Sequence, residues 1–160
     1  MNVSFSGTRP PVNGFGLFEL DAILGQLDDL PPGTRIAQGG CIGVDAIIGK
    51  AAWERGFYVV TFLPGKAWRK YTAPDYREWS HFTYDTGKDQ ASRNVDIVDF
   101  GEKVRGIPLH ESDRQRRSGT WKAIRLAYRA GKLERVLTLR PRSSDMPKLD
   151  IYESASAASS

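Results

Sequence analysis

Hydrophobic residues recur along the chain with two spacings, one typical of strands and the other typical of helices. Val3–Ser6 alternates between apolar and polar residues, which predicts a short first strand. In Leu17–Leu27 the apolar residues recur every three or four positions, which predicts a helix that a Pro-Pro-Gly sequence then ends. Arg35–Gln38 is predicted as a second strand, and the apolar spacing within Val44–Ala52 predicts a second helix.

The middle of the chain has a less regular pattern. Phe57–Leu63 is a continuous apolar run, typical of a strand that is covered on both faces. Lys66–Lys88 mixes aromatic residues with charges and shows no period, so it is predicted as an irregular excursion with a short helix. Ser92–Phe100 has a rough apolar stripe that predicts a helix. Val104–Leu109 contains Gly and Pro and is predicted as a strand at an edge or a bulge.

The last part of the chain is predicted to contain a helix, a strand and a tail. Thr120–Ala130 has helical spacing with Trp121 and Tyr128 on the inward face, and its outward face is basic: Lys122, Arg125 and Arg129. Arg135–Leu139 is predicted as the final strand. From Pro141 the sequence becomes polar and ends in a Ser- and Ala-rich stretch, so residues 141–160 are predicted to form a disordered tail.

Alternating strands and helices predict an α/β fold, an open and mostly parallel sheet with helices on both faces. The 160 residues fit one domain, expected over residues 1–140. No run of 18 apolar residues occurs and the first residues do not form a leader pattern, so a cytoplasmic protein without a membrane partner is expected. Cys41 is the only cysteine and the two histidines are distant from each other, so no disulfide, no metal site and no cofactor is predicted.

Charge is distributed unevenly along the sequence. Between Lys103 and Arg142 there are 12 basic and 3 acidic residues, a local net charge of +9, although the whole chain has a net charge of only +4. Such asymmetry is typical of a face that meets an anion, but a solvated basic helix face would produce the same count. Most of the basic residues are arginines, whose planar fork suits bidentate contacts to phosphate.

Three glycine-rich or polar segments lie at the predicted ends of strands or at the start of a helix. They are Gly7-Thr8-Arg9, Gly39–Asp45 and Arg117-Ser118-Gly119-Thr120. Ligands of open parallel sheets bind beyond the carboxyl ends of the strands, where the winding direction reverses. Glycines let backbone amides approach a phosphate, and a helix N-terminus adds free N–H donors. The alternative is that these segments are only tight connections with glycine at left-handed positions.

Four short motifs follow one another between Val3 and Leu139: S-G-T-R, Q-G-G-C-I-G-V-D, S-R-N and S-G-T-W. Their order resembles the Rossmann-like core of the DprA/Smf DNA-processing proteins, part of the SLOG superfamily with YpsA-like and LOG proteins. The resemblance implies a Rossmann-like fold in which four residues form one wall of a ligand pocket: Gly39, Gly40, Gly43 and Asp45. It also implies site roles for residues that match an R-N pair, Arg93 and Asn94, and an S-G-[ST] turn, Ser118-Gly119-Thr120.

Two departures from the family pattern limit what the resemblance implies. DprA proteins usually carry flanking domains, for which this chain has no room, so the loading of a recombinase is not expected. LOG hydrolases carry P-G-G-x-G-T-x-x-E, whereas this chain has Gln115-Arg116-Arg117 before Ser118, and Ala123 in place of the glutamate. LOG-type hydrolysis is therefore not the first hypothesis.

The leading hypothesis is a DprA-like protein that binds a nucleotide, a nucleotide-derived ligand or single-stranded DNA. One alternative is an N-glycosidase acting on nucleoside 5′-monophosphates with Asp45 as the catalytic carboxylate, and another is a sensor of a nucleotide-derived signal. Arg9 is favoured as a phosphate contact, whereas Arg93 could equally pair with Asp96 or Asp99 on its own helix. Self-association into a homo-oligomer is left open.

The last prediction is that the loops at Gly7 and Gly119 lie on one ligand crevice. Gly7 and Gly119 lie 112 positions apart, but the family strand order places the strands before them side by side. Their loops should then face each other across one crevice, with Gly39–Asp45 at its side. Arg9 and Arg117 would add positive charge from opposite lips. Separate clefts for these segments would contradict a shared site.

Overall fold

The computed structural model describes residues 1–114 and 117–152 as one seven-stranded sheet with helices on both faces. Gln115 and Arg116, which belong to the basic region between Lys103 and Arg142, lie outside the described residues, as does the stretch 153–160 of the predicted tail. The strands are β1 (Asn2–Gly7), β2 (Arg35–Gln38), β3 (Tyr58–Leu63), β4 (Phe82–Asp85), β5 (Lys103–Ile107), β6 (Leu133–Thr138) and β7 (Lys148–Ile151). The helices are α1 (Leu17–Gly25), α2 (Val44–Glu54), α3 (Gln90–Phe100) and α4 (Gly119–Arg129).

The strand order is β4-β3-β2-β1-β5-β6-β7, and every pair is parallel except β6 with β7. The chain therefore winds outward from β1 in one direction as far as β4, and then returns to the other side of β1 with β5. Gly7, the last residue of β1, stands opposite Ile107, the last residue of β5. The direction of winding reverses between these two strands, which is where an open parallel sheet forms its ligand crevice.

The alternation along β1 shows how the two faces of the sheet are built. Val3 and Phe5 are fully buried on the face covered by α1 and α2, where the largest apolar cluster lies. Ser4 points to the opposite face, and its hydroxyl donates a hydrogen bond of 2.6 Å to the Ile97 carbonyl of α3. Apolar burial on both faces is the main stabilising contribution of such a sheet. The predicted α/β class with helices on both faces is thus confirmed.

The predicted irregular excursion Lys66–Lys88 contains more structure than its sequence indicated. It has two short 3-10 turns, Lys66–Trp68 and Tyr76–Trp79, followed by the edge strand β4. Trp79 is buried and packs so closely on Gly49 of α2 that an added Cβ there would lie 2.3 Å from the indole ring. The segment therefore supplies the edge strand of the sheet through β4, and it packs on α2 through Trp79.

Two predictions about the C-terminal third were wrong. The segment predicted as disordered from residue 141 includes β7, which pairs antiparallel with β6. Tyr128 is not part of the core, because 65% of it is exposed. Trp121 is half-buried, and its indole N–H donates a hydrogen bond of 2.8 Å to the His110 carbonyl. The apolar face of α4 is instead made of smaller residues, Ala123, Ile124 and Ala127.

The helices are short and carry charged residues. None of the helices in residues 1–114 and 117–152 combines the length and the apolar character that crossing a bilayer requires.

Candidate functional site: a crevice at the switch point

A crevice of about 340 Å³ opens where the winding of the sheet reverses. Its wall on one side is the end of β1 with the loop that follows, and on the other side the first turn of α4. The floor and the remaining wall come from α3 and from the start of α2. The residues that line it are Phe5, Ser6, Gly7, Thr8, Arg9, Cys41, Asp45, Gln90, Ala91, Arg93, Asn94, Ile97, Arg117, Ser118, Gly119, Thr120 and Lys122.

The loop after β1 is pressed against the start of α2, and glycines make this approach possible. An added Cβ at Gly7 would lie 2.2 Å from Val44 Cγ1, well inside contact distance. Gly43 has φ +98° and ψ −135°, a backbone conformation that is essentially restricted to glycine. The amide of Val44 donates a hydrogen bond of 3.0 Å to the Thr8 carbonyl. The first amide of α2 is therefore used inside the protein and is not a donor for a ligand.

Gly43→Ala is expected to lower the free energy of unfolding by about 2–3 kcal/mol, because the new Cβ would be both strained and crowded. It would lie 2.6 Å from the Thr8 carbonyl oxygen and 2.9 Å from Arg9 Cα. Gly33→Ala is the matched control, since Gly33 has φ +85° with nothing within 4 Å of the added atom, and about 1 kcal/mol is expected there. Urea unfolding measures both, and equal losses would contradict the crowding.

The first turn of α4 supplies free backbone donors to the crevice. The Ser118 hydroxyl is the N-cap and accepts a hydrogen bond of 3.3 Å from the Trp121 amide. Within the described residues, the amides of Gly119 and Thr120 donate to no other group. Free amides at a helix N-terminus and the partial positive charge there favour an anion. The hydroxyl of Ser118 therefore has a structural role, whereas the two amides after it remain available.

A buried carboxyl group forms the deepest polar part of the crevice. Asp45 is only 6% exposed, and its Oδ2 accepts a hydrogen bond of 3.2 Å from the Cys41 amide. Burial raises the pKa of Asp45 to about 6, although the neighbouring Arg93 guanidinium opposes the shift. Burial and the Asp45 charge also raise the pKa of the Cys41 thiol to about 11, so this thiol is not a nucleophile at neutral pH.

Arg93 ties three elements together beneath the crevice. Its Nη1 donates to the Gly39 carbonyl at 2.6 Å and to the Phe62 carbonyl at 2.9 Å, and only 3% of the residue is exposed. Asp96, considered from sequence as a partner on the same helix, pairs instead with Lys88 at 3.0 Å. Arg93 is therefore a positioning residue that holds the end of β2, the end of β3 and α3 around Asp45.

The glycines that the resemblance assigned to one wall lie behind that wall. An added Cβ at Gly39 would lie 2.8 Å from Arg93 Cζ and 3.0 Å from Asp45 Oδ2, so Gly39 makes room for both side chains. Gly40 has φ +72° and packs against Thr61. Neither Gly39, Gly40 nor Gly43 contributes to the lining of the crevice. They shape the segment that presents Asp45, and Asp45 itself lines the crevice.

Positive charge surrounds the mouth of the crevice. The Arg9 guanidinium lies 3.8 Å from the centre of the Tyr71 ring, a cation–π contact that holds this side chain at the rim. A hydrogen bond from Arg9 lowers the pKa of Tyr71. Arg117 and Lys122 line the opposite side, at the N-terminal turn of α4. Cations are unfavourable at a helix N-terminus, so their position there is not explained by the stability of α4.

Most of the other basic residues between positions 103 and 142 have partners in the structure. Ion pairs join Lys103 to Glu134, Arg105 to Asp29 and Glu134, Arg135 to Asp29, Arg140 to Glu19, and Arg142 to Glu111 and Asp113. The local charge of +9 seen in the sequence thus divides into a paired set and a remainder. Among the described residues of this region, Lys132 donates to the Val98 and Asp99 carbonyls instead of a carboxylate, and the others without an ion pair lie on α4 and just before it: Arg114, Arg117, Lys122, Arg125 and Arg129.

The loop after β1 and the segment before α4 line one crevice, as predicted. Gly7, Thr8 and Arg9 face Arg117–Thr120 across one crevice, and Asp45 lies between them. Sequence reasoning missed seven lining residues: Phe5, Ser6, Cys41, Gln90, Ala91, Ile97 and Lys122. Helical spacing could have found two of them, because Gln90 lies one turn before Asn94 and Lys122 lies one turn after Ser118. Asn94 also bridges the two walls, with Nδ2 3.5 Å from the Gly119 carbonyl oxygen.

None of the known protein-family models matches this sequence, and no curated protein is significantly similar to it. Solved structures do match. TM1055, a structural-genomics target, superposes with a TM-score of 0.62 at 26% identity over 87% of this chain and 74% of its own. DNA processing protein A from Helicobacter pylori, described for its single-stranded DNA binding mode, gives 0.61 at 20% identity over 91% and 68%. A molybdenum cofactor carrier protein from Chlamydomonas reinhardtii gives 0.57 at 17% identity over 88% and 77%.

These superpositions agree with the motifs of the sequence and with the reversal of winding between β1 and β5. All three matched structures have Rossmann-like folds. The chain is therefore a Rossmann-like α/β domain.

Proposed function

We propose that this protein binds a phosphate-bearing nucleotide ligand, with single-stranded DNA as the leading candidate, in the crevice between β1 and α4. The observation that carries the proposal is the convergence of two separate sequence segments on one cavity. Gly7–Arg9 contributes a cation from one side, where the Thr8 amide is already bonded to the Ile107 carbonyl, and Arg117–Thr120 contributes a cation and free amides from the other. Such an arrangement is suited to the non-bridging oxygens of a phosphate group.

Two of the matched structures support a ligand of this class. The H. pylori protein binds single-stranded DNA, and the C. reinhardtii protein is a carrier of a molybdenum cofactor. Among the described residues no group of three or more His, Cys, Asp and Glu is arranged to hold a metal ion. The free amides at the start of α4 and the guanidinium groups of Arg9 and Arg117 suit the recognition of a phosphate.

A salt titration with a twelve-nucleotide oligothymidine tests the proposal. The logarithm of the binding constant should fall linearly with the logarithm of salt concentration, by about 0.7 per phosphate contact. Arg9→Ala should weaken binding and reduce that slope by about 0.7, because one cation is lost at the rim. Arg35→Ala is the control, since Arg35 is exposed at the first residue of β2, at the end of the parallel strands that lies away from the crevice.

Fluorescence anisotropy measures these constants. Absence of binding at low salt to both the oligonucleotide and thymidine 5′-monophosphate would refute the proposal. Binding of the monophosphate alone would replace single-stranded DNA by a free nucleotide as the ligand. A panel of nucleotides screened by melting temperature then identifies the base, since ligand at 100 times its Kd adds about 2.7 kcal/mol of stability.

The second candidate function is hydrolysis of an N-glycosidic bond, and the burial of Asp45 in the crevice is the observation that favours it. A carboxylate beside C1′ could stabilise the oxocarbenium-like ribose that forms as the bond to the base breaks. Water would then add its hydroxyl group to C1′, and its proton would leave with the base. Release of free base from nucleoside monophosphates, abolished in Asp45→Asn, would establish this reaction.

The same variant gives a pH test of the binding proposal. The oligothymidine phosphodiesters keep their charge between pH 5 and pH 7.5, whereas Asp45, with a pKa of about 6, loses most of its negative charge over that range as the pH falls. Affinity should therefore increase on acidification in the wild type and increase less in Asp45→Asn. Parallel pH profiles of the two proteins would show that Asp45 does not face the bound phosphates.

A further inference from the structure

We infer that the binding surface does not end at the crevice but continues along the seam between α3 and α4, where it takes the further phosphates of a nucleic acid strand. This inference rests on the proposed function and deepens it, because it selects a polynucleotide over a mononucleotide. A second cavity of about 300 Å³ lies on this seam. It shares Ala91, Asn94 and Lys122 with the crevice, so the two form one continuous groove.

The charges along this groove are of one sign. Lys122, Arg125 and Arg129 are spaced by three and four residues, which places them in one stripe along α4. All three side chains are exposed and, within the described part of the chain, they have no ion pair. Between Arg114 and Leu133 the sequence contains no Asp or Glu. The stripe extends about 10 Å along the helix axis away from the crevice.

Helix stability does not account for this stripe. Arg129 in the last turn complements the helix dipole, but Lys122 in the first turn opposes it, and like charges at this spacing repel one another. Most of the other described basic residues of this part of the chain pair with nearby carboxylates, as with Arg105 and Arg140, and Lys132 donates to two backbone carbonyls. Within this part of the chain, the described cations without an ion pair or a side-chain hydrogen bond are thus concentrated on α4 and just before it, on the surface that continues the crevice.

Apolar and aromatic groups accompany the stripe, as binding to unpaired bases requires. Val95 of α3 is 40% exposed and lines the groove together with the cations of α4. Tyr128, 65% exposed, lies beside Arg125 and Arg129 and forms with them and Tyr152 the lining of an adjoining cavity. Exposed aromatic rings next to a basic groove provide stacking platforms for single-stranded nucleic acids. An acidic protein surface would use the cations but has no comparable need for the exposed ring.

The test compares the twelve-nucleotide oligothymidine with thymidine 5′-monophosphate on three proteins. Arg125→Ala/Arg129→Ala should lower the affinity for the oligonucleotide about tenfold, reduce the salt slope by about 1.4, and leave the affinity for the monophosphate unchanged. Arg35→Ala/Arg77→Ala removes the same charge from exposed positions away from α3 and α4, and should change neither affinity. All four arginines are exposed, so both double variants are expected to fold, and circular dichroism checks this.

The outcomes separate this inference from the proposed function. If wild type binds the monophosphate and the oligonucleotide with equal affinity, the crevice stands and the extension is refuted. If the α4 variant binds the oligonucleotide like the control variant, the extension is also refuted, and the stripe is left to an acidic protein partner. If wild type binds neither probe at low salt, both the function and the extension fail.

Discussion

Arg93→Met is expected to lower the free energy of unfolding by about 3–5 kcal/mol, since it removes one member of a buried polar cluster and leaves the others behind. The Gly39 and Phe62 carbonyls would lose their donor, and Asp45 would lose the guanidinium that opposes the rise in its pKa. Arg55→Met is the control, because Arg55 pairs with Asp28 at the surface and a loss of about 0–1 kcal/mol is expected. Urea unfolding at pH 7 measures both variants.

The pH dependence of the Arg93 variant gives a second measurement. The folded-state pKa of Asp45, about 6, is higher than the unfolded value of about 4, so the folded protein binds a proton that the unfolded chain releases. This group therefore stabilises the fold fully below about pH 4, and the stabilisation is lost as pH rises to 6. Without Arg93 the pKa of Asp45 should rise further, and the loss should continue above pH 6. An unchanged profile would show that Arg93 does not act on Asp45.

Arg93 also shows where sequence reasoning stops. Its spacing from Asp96 on one helix indicated a local ion pair, and the sequence contains no sign of the carbonyl groups at the ends of β2 and β3 that it contacts. Those contacts exist only because the parallel sheet brings the ends of β2 and β3 together beside α3. Tertiary structure decides which partner a buried arginine has, and helical spacing does not.

The elements that were predicted well are those with a strong period or a continuous apolar run. β1, β3 and α2 have such patterns because each packs against a covered face of the sheet. β4 and β7 were missed because they are edge strands, with most of their residues exposed and no alternation to detect. The crevice was predicted because glycine-rich turns have short local signals, whereas Lys122 was assigned to solvent since its helix position alone does not show what lies opposite.

Charge counts gave the least specific prediction, and Arg105 explains why. It belongs to the basic region, yet it is only 3% exposed and contacts Asp29 at 2.9 Å and Glu134 at 2.6 Å. Its Nη1 also donates to the Gln26 carbonyl at the end of α1. A sequence count cannot separate this structural arginine from the exposed ones on α4, because the acidic partner Asp29 lies 76 positions away.

Arg105→Met is accordingly expected to destabilise the fold by about 3 kcal/mol at pH 7 without weakening ligand binding by the folded protein. The loss arises because the half-buried Glu134 keeps Lys103 and neighbouring Arg135 but loses its shortest ion pair, and because the Gln26 carbonyl loses its donor. Arg135→Met, which removes a more exposed partner of Asp29, should cost about 1 kcal/mol. Urea unfolding gives the free energies, and oligothymidine anisotropy gives the binding constants.

The acid dependence of the Arg105 variant follows from the carboxylates it leaves. Hydrogen bonds from Arg105 lower the pKa of Asp29, and Lys103 and Arg105 together outweigh the burial that would raise the pKa of Glu134. Lowered pKa values stabilise the wild type above about pH 4, and this contribution is lost as pH falls below it. The gap between wild type and variant should therefore narrow in acid. A difference in unfolding free energy that stays constant from pH 7 to pH 3 would mean that Arg105 acts through apolar packing and not through its ion pairs. A lower oligothymidine affinity of Arg105→Met would place Arg105 among the ligand contacts.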